Sequence, residues 1–141
     1  MKDWYVYHSA KTMDRRYGTP ETNHVFSTSE KKKLCINDRI WVVEGFGESP
    51  KTFYLSAHFI YKETEYPPFP APYVGSKYAE FKIMYAGPGD SYGSKYELTV
   101  ENYPWFSTLH QGYITRQRFF NDISELTDVM NGFNQFKFLS R

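Results

Sequence analysis

The side chains able to do chemistry are few and scattered. His8, His24, His58 and His110 are far apart, and no pair has the i, i+4 spacing that sets two imidazoles on one helical face to hold a metal. Cys35 is the only cysteine. It sits in an apolar Leu34-Cys35-Ile36 step before a strand, with no histidine at a suggestive position, and reads as a buried structural thiol rather than a nucleophile. Asp38, Glu44, Asp90, Glu101 and Asp122 fall at turns or strand edges, where capping and solubility account for them. Glu80-Phe81-Lys82 has the alternate-residue spacing of a metal-dependent nuclease strand, but the preceding carboxylate of such a cluster is missing. Gly87-Pro88-Gly89 lacks the Lys-Ser/Thr step of a phosphate-binding loop, and there is no Gly-x-Ser-x-Gly elbow. No catalytic residue, metal site or cofactor is assigned. An enzyme would have to use His8 or His58 as a base without recognisable partners.

Groups suited to binding are far more numerous. The chain has 13 Tyr, 12 Phe and 3 Trp, which together make 20% of its residues. Phe and Trp can vanish into a core, but so many Tyr hydroxyls need partners or water, and aromatic faces are stacking platforms. Basic residues form three groups: Lys11, Arg15 and Arg16; Lys31, Lys32 and Lys33; Arg116 and Arg118. Each alone is explained as solvated surface, and together they can make one phosphate-contacting rim. The net charge of +1, from 17 basic and 16 acidic residues, is not that of a protein that coats duplex DNA through phosphates. A nucleic-acid ligand would have to be held substantially by stacking and pocket contacts.

These side chains need a scaffold, and 141 residues suit one domain with one sizeable core. No apolar run approaches the roughly 18 residues of a spanning helix, so no membrane partner is expected. The start, Met1-Lys2-Asp3-Trp4, moves straight into a strand-like stretch and reads as carrying no signal peptide; with a single cysteine, the expected setting is reducing and cytoplasmic.

Residues 4–9, 24–28, 39–45, 52–61, 77–86 and 94–103 read as strands. Segments 39–45 and 52–61, joined by a Gly/Pro loop, form a hairpin at the centre of a sheet. Alternation puts Phe53, Leu55, Ala57, Phe59 and Tyr61 on one face of the second of these. Residues 10–17 and 29–33 are candidates for single helical turns, and residues 87–93 for a turn-rich loop. The four prolines of residues 66–72 rule out a central strand there and suggest an excursion across the sheet or along a groove. Pro104 can open a short helix, residues 111–120 are strand or irregular, and the clearest helix spans 123–131. Asp122 caps that helix, Gly132 ends it, and an apolar stripe of Ile123, Leu126, Val129, Met130 and Phe133 faces the core. The expected class is α+β and mainly β: a curled sheet or small twisted barrel of five to seven strands with two or three short flanking helices.

Several stretches together resemble the PUA-like superfamily, especially its EVE and YTH branches. They are the aromatic opening strand Trp4-Tyr5-Val6-Tyr7-His8-Ser9 and the aromatic-Ser-Thr step in His24-Val25-Phe26-Ser27-Thr28. Next comes Asn37-Asp38-Arg39-Ile40-Trp41-Val42-Val43-Glu44-Gly45, similar to the family's Gly-Asp strand entry with Asn37 in place of Gly. A strand carrying Ser56-Ala57, then Pro104-Trp105-Phe106 and a short C-terminal helix, complete the layout in order. The chain departs from the pattern at His8-Ser9-Ala10, where EVE domains carry a Lys-Ser-Glu-Pro-like step, and in lacking the basic excess of YTH domains.

The resemblance implies a PUA-like barrel with an aromatic-lined pocket for a modified base, often flipped out of its strand. It puts Tyr7, His8, Ser9, Phe26, Ser27 and Thr28 around that pocket, with Trp41 and Trp105 as further candidates. It also implies a reader domain of a modification-dependent restriction system, with DNA favoured over RNA and a nuclease or other effector in another domain or partner. A small-molecule barrel or a protein-interaction module remains the alternative. That reading expects an aromatic pocket without converging basic residues, or an exposed apolar patch near residues 66–72.

Overall fold

The computed structural model describes residues 1–10, 17, 23–47, 50–70, 73, 75 and 78–136. Eight strands are present among the described residues: β1 (Asp3–Ser9), β2 (Asn23–Ser27), β3 (Arg39–Phe46), β4 (Thr52–Ile60), β5 (Glu63–Glu65), β6 (Ile83–Gly87), β7 (Gly89–Ser91) and β8 (Phe120–Asp122). Among the described residues, two α-helices lie on either side of β8 in the sequence, α1 (Phe106–Leu109) and α2 (Thr127–Phe133). The fold is mainly β, of mixed α+β type, with a five-stranded sheet in the order β7-β4-β3-β1-β8 and a three-stranded sheet β2-β6-β5. Neither sheet closes into a barrel.

β3 is central, as its apolar run Ile40-Trp41-Val42-Val43 requires: it pairs antiparallel with β4 and parallel with β1. The two sheets are joined at a bend. Ile60 N–H donates to Pro88 O and Lys62 N–H to Ala86 O, both at 2.9 Å, so the β4–β5 strand pair runs on against β6–β7 across the corner. Pro88, having no N–H, sits where the ladder changes sheet. Six strands, β1, β2, β3, β4, β6 and β8, contribute to one inner core that includes Trp4, Val6, Val25, Val42, Phe59, Tyr85 and Phe120. The opposite face of the larger sheet carries Tyr5, Trp41, Val43 and Leu55 against Phe106, Leu109, Val129 and Phe133 of the helices.

Several expectations are corrected. The single face assigned to the 52–61 strand is split: Leu55 packs under the helices, whereas Ala57 and Phe59 enter the inner core. The register slips between Val42 and Val43, which oppose Ala57 and Leu55, so Ser56 is the extra residue of a β-bulge and reverses the alternation. Residues 94–103 are not a strand. They follow the edge of β4 through one bridge, Tyr54 to Glu97, with Leu98 N–H on Phe53 O and Leu55 N–H on Tyr96 O. Of the described part of residues 77–86, only Ile83 onward is strand, and the 87–93 loop contains the short β7. Residues 29–33 form a turn without a helix.

The C-terminal helix begins at Thr127 rather than 123. Asp122 ends β8 instead, its carboxylate accepting from Ser124 N–H at 2.9 Å and Ser124 Oγ at 2.6 Å. Gly132 does not stop α2 but lies inside it, because a Cβ there would run into the Trp105 indole. Cys35 is exposed, not buried: it belongs to the tight turn before β3, where Asp38 N–H donates to Cys35 O at 2.9 Å. Asn37 takes φ +80° in that turn, a left-handed conformation that Asn tolerates better than most residues. Of the helical turn expected in 10–17, residues 11–16 lie outside the described residues. No helix among the described residues is long and apolar enough to cross a membrane.

Candidate functional site: a cavity between β1 and β2

The indoles are anchored first. Trp4 Nε1–H donates to Asp38 at 3.0 Å, and Trp41 Nε1–H to Asp3 at 3.1 Å. Asp3 is itself gripped by Arg39, whose Nε lies 2.6 Å and Nη2 3.1 Å from its two oxygens. Burial pushes the Asp38 carboxyl up, but the N–H groups of Cys35 and Lys2 and the Trp4 indole outweigh it and hold it below its ordinary value. These bonds fix the start of β1 against β3, and the rest of β1 then runs out toward β2.

Between β1 and β2 lies a cavity of about 530 Å³, within the size range of ligand pockets. Tyr7, His8 and Ser9 line it from β1; Phe26 and Ser27 from β2; Thr28 follows directly. Six of the eight residues singled out for ligand contact therefore border one space. The other two do not. Trp41 is fully buried on the helix side, stacked on Phe133 at 4.7 Å and 6°. Trp105 lies against the same Phe133 ring at 5.1 Å. Both belong to the helix-face core rather than to the cavity.

The lining groups differ in what they can offer. Ser27 Oγ donates to Ser29 O at 2.9 Å and accepts from Ser29 N–H at 3.1 Å, so its proton is already committed. Phe26 is the hub of a satellite core, with Phe69, Tyr73, Tyr78 and Phe81 at ring-centroid distances of 5.0–5.3 Å. That core places Phe69, from the proline-rich stretch, against the outer side of β2. Tyr66 of the same stretch is exposed.

Tyr17, Phe81, Asn121 and Gln117 also line the cavity, and none of them was expected there from the sequence. Tyr17 is the one aromatic in the polar stretch 10–17, and that isolation was its signal. Its backbone N–H donates to Glu44 at 2.6 Å, its hydroxyl to His24 O at 3.1 Å, and its ring meets His8 edge-on at 5.5 Å. Glu44 is a fully buried carboxylate on β3, in register with His8. It thus ties Tyr17 across the mouth between β1 and β2.

Charge at the cavity is mixed. Lys32 and Arg118, from two different basic groups, border it, and so does Glu80. Lys32 Nζ lies 5.8 Å above the Phe120 ring. Lys31, Lys33 and Arg116 are exposed and border no part of the cavity. Lys11, Arg15 and Arg16 lie outside the described residues. Arg118 is positioned by the chain's own local geometry. After α1 the backbone widens into a π-helical turn, His110–Ile114, with Thr115 N–H on His110 O at 2.9 Å. Gln117 then takes φ +58°, its N–H on Ile114 O at 3.1 Å, while Arg118 N–H reaches Tyr113 O at 2.8 Å. This is the Schellman pattern, with Gln where Gly is usual, and Arg118 lies over the Tyr113 ring at 5.9 Å.

Two residues of the lining, Tyr7 and Asn121, carry a buried polar atom, the hydroxyl and Oδ1, with no hydrogen-bond partner among the described residues. The Tyr7 hydroxyl lies over Gly45, where any side chain would collide with it. Burial, with the Glu44 charge adding to it, pushes the phenol up to about 12, so it remains a hydrogen-bond donor at neutral pH. Among the described residues, no three His, Cys, Asp or Glu side chains come together as metal ligands.

No family model, curated protein or solved structure matches the chain.

Proposed function

We propose that the chain is a reader domain that takes a modified, flipped-out base of a nucleic acid, DNA ahead of RNA, into the cavity between β1 and β2. The observation that carries this reading is the cavity itself. It has aromatic rings from Tyr17 and Phe81, polar groups from His8, Ser9 and Thr28, and two cations, Lys32 and Arg118. A base needs faces to stack on and a few edge contacts, and its backbone needs cations outside the stacking zone. The finer fold reading goes with it. The joined sheets are an opened PUA-like barrel whose free ends, β2 and β8, both border the cavity. Effector chemistry, such as cleavage in a restriction system, belongs in this reading to another domain or partner.

The test is binding to short labelled oligonucleotides that carry cytosine, 5-methylcytosine, 5-hydroxymethylcytosine or N6-methyladenine, as DNA and as RNA, at two salt concentrations. We expect one modification to be preferred. His8→Ala and Tyr17→Ala should each weaken it by about tenfold, in keeping with about 1–3 kcal/mol per stacked base. Phe26→Ala is a poor probe because it dismantles the satellite core. A folded protein that binds no member of the panel would overturn the reading. A second reading, a small-molecule site, draws on Glu80 at the cavity and the net charge of only +1. It is favoured if binding is absent across the panel while the cavity still takes up an uncharged aromatic probe.

A further inference from the structure

On the other side of the Tyr7 ring lies a second, more open cavity of about 510 Å³. It shares Tyr7, Ser9, Gln117 and Phe119 with the first. The partition between the two is a stacked pair: Phe119, 46% exposed, lies on Tyr7 at a centroid distance of 5.5 Å and 28°. The second cavity extends toward the helices. Phe53 packs there, with His110 edge-on to it at 5.1 Å, and the π-helical turn is what brings His110 round to this side.

Two observations give this space a ligand chemistry. Lys51 lines it, and among the described residues no carboxylate does, in contrast to Glu80 at the first cavity. Phe53 and Phe119 supply ring faces and edges. A cation and an imidazole beside aromatic surface suit an anion attached to a flat ring, which is a nucleotide.

We propose that the second cavity takes the nucleotide next to the one read in the first. The strand passes over Phe119, the neighbouring base rests against Phe53 and Phe119, and its phosphate lies toward Lys51 and His110. The unit recognised is then a two-nucleotide step rather than a single base. This rests on the base-reading proposal, because the modified base must occupy the cavity between β1 and β2.

The test follows amide and side-chain resonances of the isotopically labelled full chain. The probes are 5′-phosphorylated deoxydinucleotides and the matching mononucleotides, each with 5-methylcytosine, 5-hydroxymethylcytosine or N6-methyladenine. For the preferred modification, the dinucleotide should bind on the order of tenfold tighter than the mononucleotide, the equivalent of one added stack. It should shift Phe53 and His110 as well as His8 and Thr28. Lys51→Glu, at an exposed position, should remove that gain while leaving mononucleotide affinity unchanged. A dinucleotide that binds no tighter and shifts only His8 and Thr28 overturns this inference and leaves base reading standing. Shifts confined to Phe53 and His110 retain a nucleotide site there but overturn base reading, and with it the two-nucleotide step. No shift at either place overturns both.

Discussion

The two faces of the five-stranded sheet use aromatic residues in opposite ways. On the helix face, Trp41 lies between His58, at 4.1 Å, and Phe133, at 4.7 Å, and Trp105 closes on Phe133 from the side. Every ring there is covered by another ring. On the inner face, Trp4, Tyr85 and Phe120 meet edge-on at 5.7–5.8 Å, but the rings thin out along β1. Beyond Val6, the next residue of the strand on this face, His8, borders the cavity. The difference lies in what stands opposite: the helices cover the first face around Trp41, whereas on the other face a cavity opens between β1 and β2. An aromatic residue in this chain is therefore a poor indicator of ligand contact by itself; what counts is whether another ring already covers it.

The largest test of that contrast is Trp41→Ala. Removing the indole empties the helix-face core and leaves Asp3 without one donor, and a loss of about 3–5 kcal/mol is expected in denaturant unfolding. Oligonucleotide affinity, measured where the variant is still folded, should hardly change. If it instead fell with stability intact, Trp41 would be a ligand contact and the division between the faces would be lost.

Acid comes next in size, and it acts on two carboxyls of the β1 edge, Asp38 and Asp122. The Asp38 and Asp122 carboxyls are each pushed up by burial, but bonds that stabilise the charged form outweigh it and hold each below its ordinary value. For Asp38 these come from Cys35, Lys2 and Trp4, and for Asp122 from Ser124 and Lys2. A depressed folded value means that the stabilisation is complete above the ordinary carboxyl range, near pH 4, and is lost as pH falls through the folded values. Asp38→Asn should weaken the protein at pH 7, since an amide cannot replace a carboxylate that accepts from three donors. A loss of about 1–3 kcal/mol is expected there. Its unfolding free energy should also fall less between pH 5 and pH 2 than that of the parent. Equal pH dependence in the two proteins would remove Asp38 as the acid-sensitive anchor of the inner face.

Much of the fold was legible because the central strands are dense in β-branched and aromatic residues. β1, β2, β3 and β4 lie within a residue or so of where Trp4, His24, Arg39 and Thr52 put them. The parts that were not legible depend on partners distant in sequence. Nothing in Leu55-Ser56-Ala57 announces a bulge; it exists because β3 and β4 must feed two cores on opposite faces. Gly132 looks like a helix stop and is a docking surface for Trp105, 27 positions away. Residues 94–103 alternate like a strand, but they find only the edge of β4 to follow. At the cavity, the runs around His8 and Phe26 were visible as short aromatic-polar steps. Tyr17, Phe81 and Gln117 were not, since their place there is set by a buried glutamate, a satellite core and a backbone turn.

Gln117 supplies the smallest test and bears on the open side of the comparison. Its φ of +58° is a left-handed conformation that costs an L-residue about 1 kcal/mol relative to Gly. Gln117→Gly should therefore raise stability by up to about 1 kcal/mol, less what glycine adds to the entropy of the unfolded chain. The Schellman bonds and the Arg118–Tyr113 contact should be retained. The side chain, however, borders both cavities at the Tyr7–Phe119 partition. If the amide contacts ligand there, the stabilised variant binds oligonucleotide several-fold more weakly than the parent, a stability–activity trade of the kind seen where strain is kept for function. If affinity is unchanged while stability rises, Gln117 is simply a strained cap, and the ligand contacts of the open face lie with β1, β2 and Tyr17.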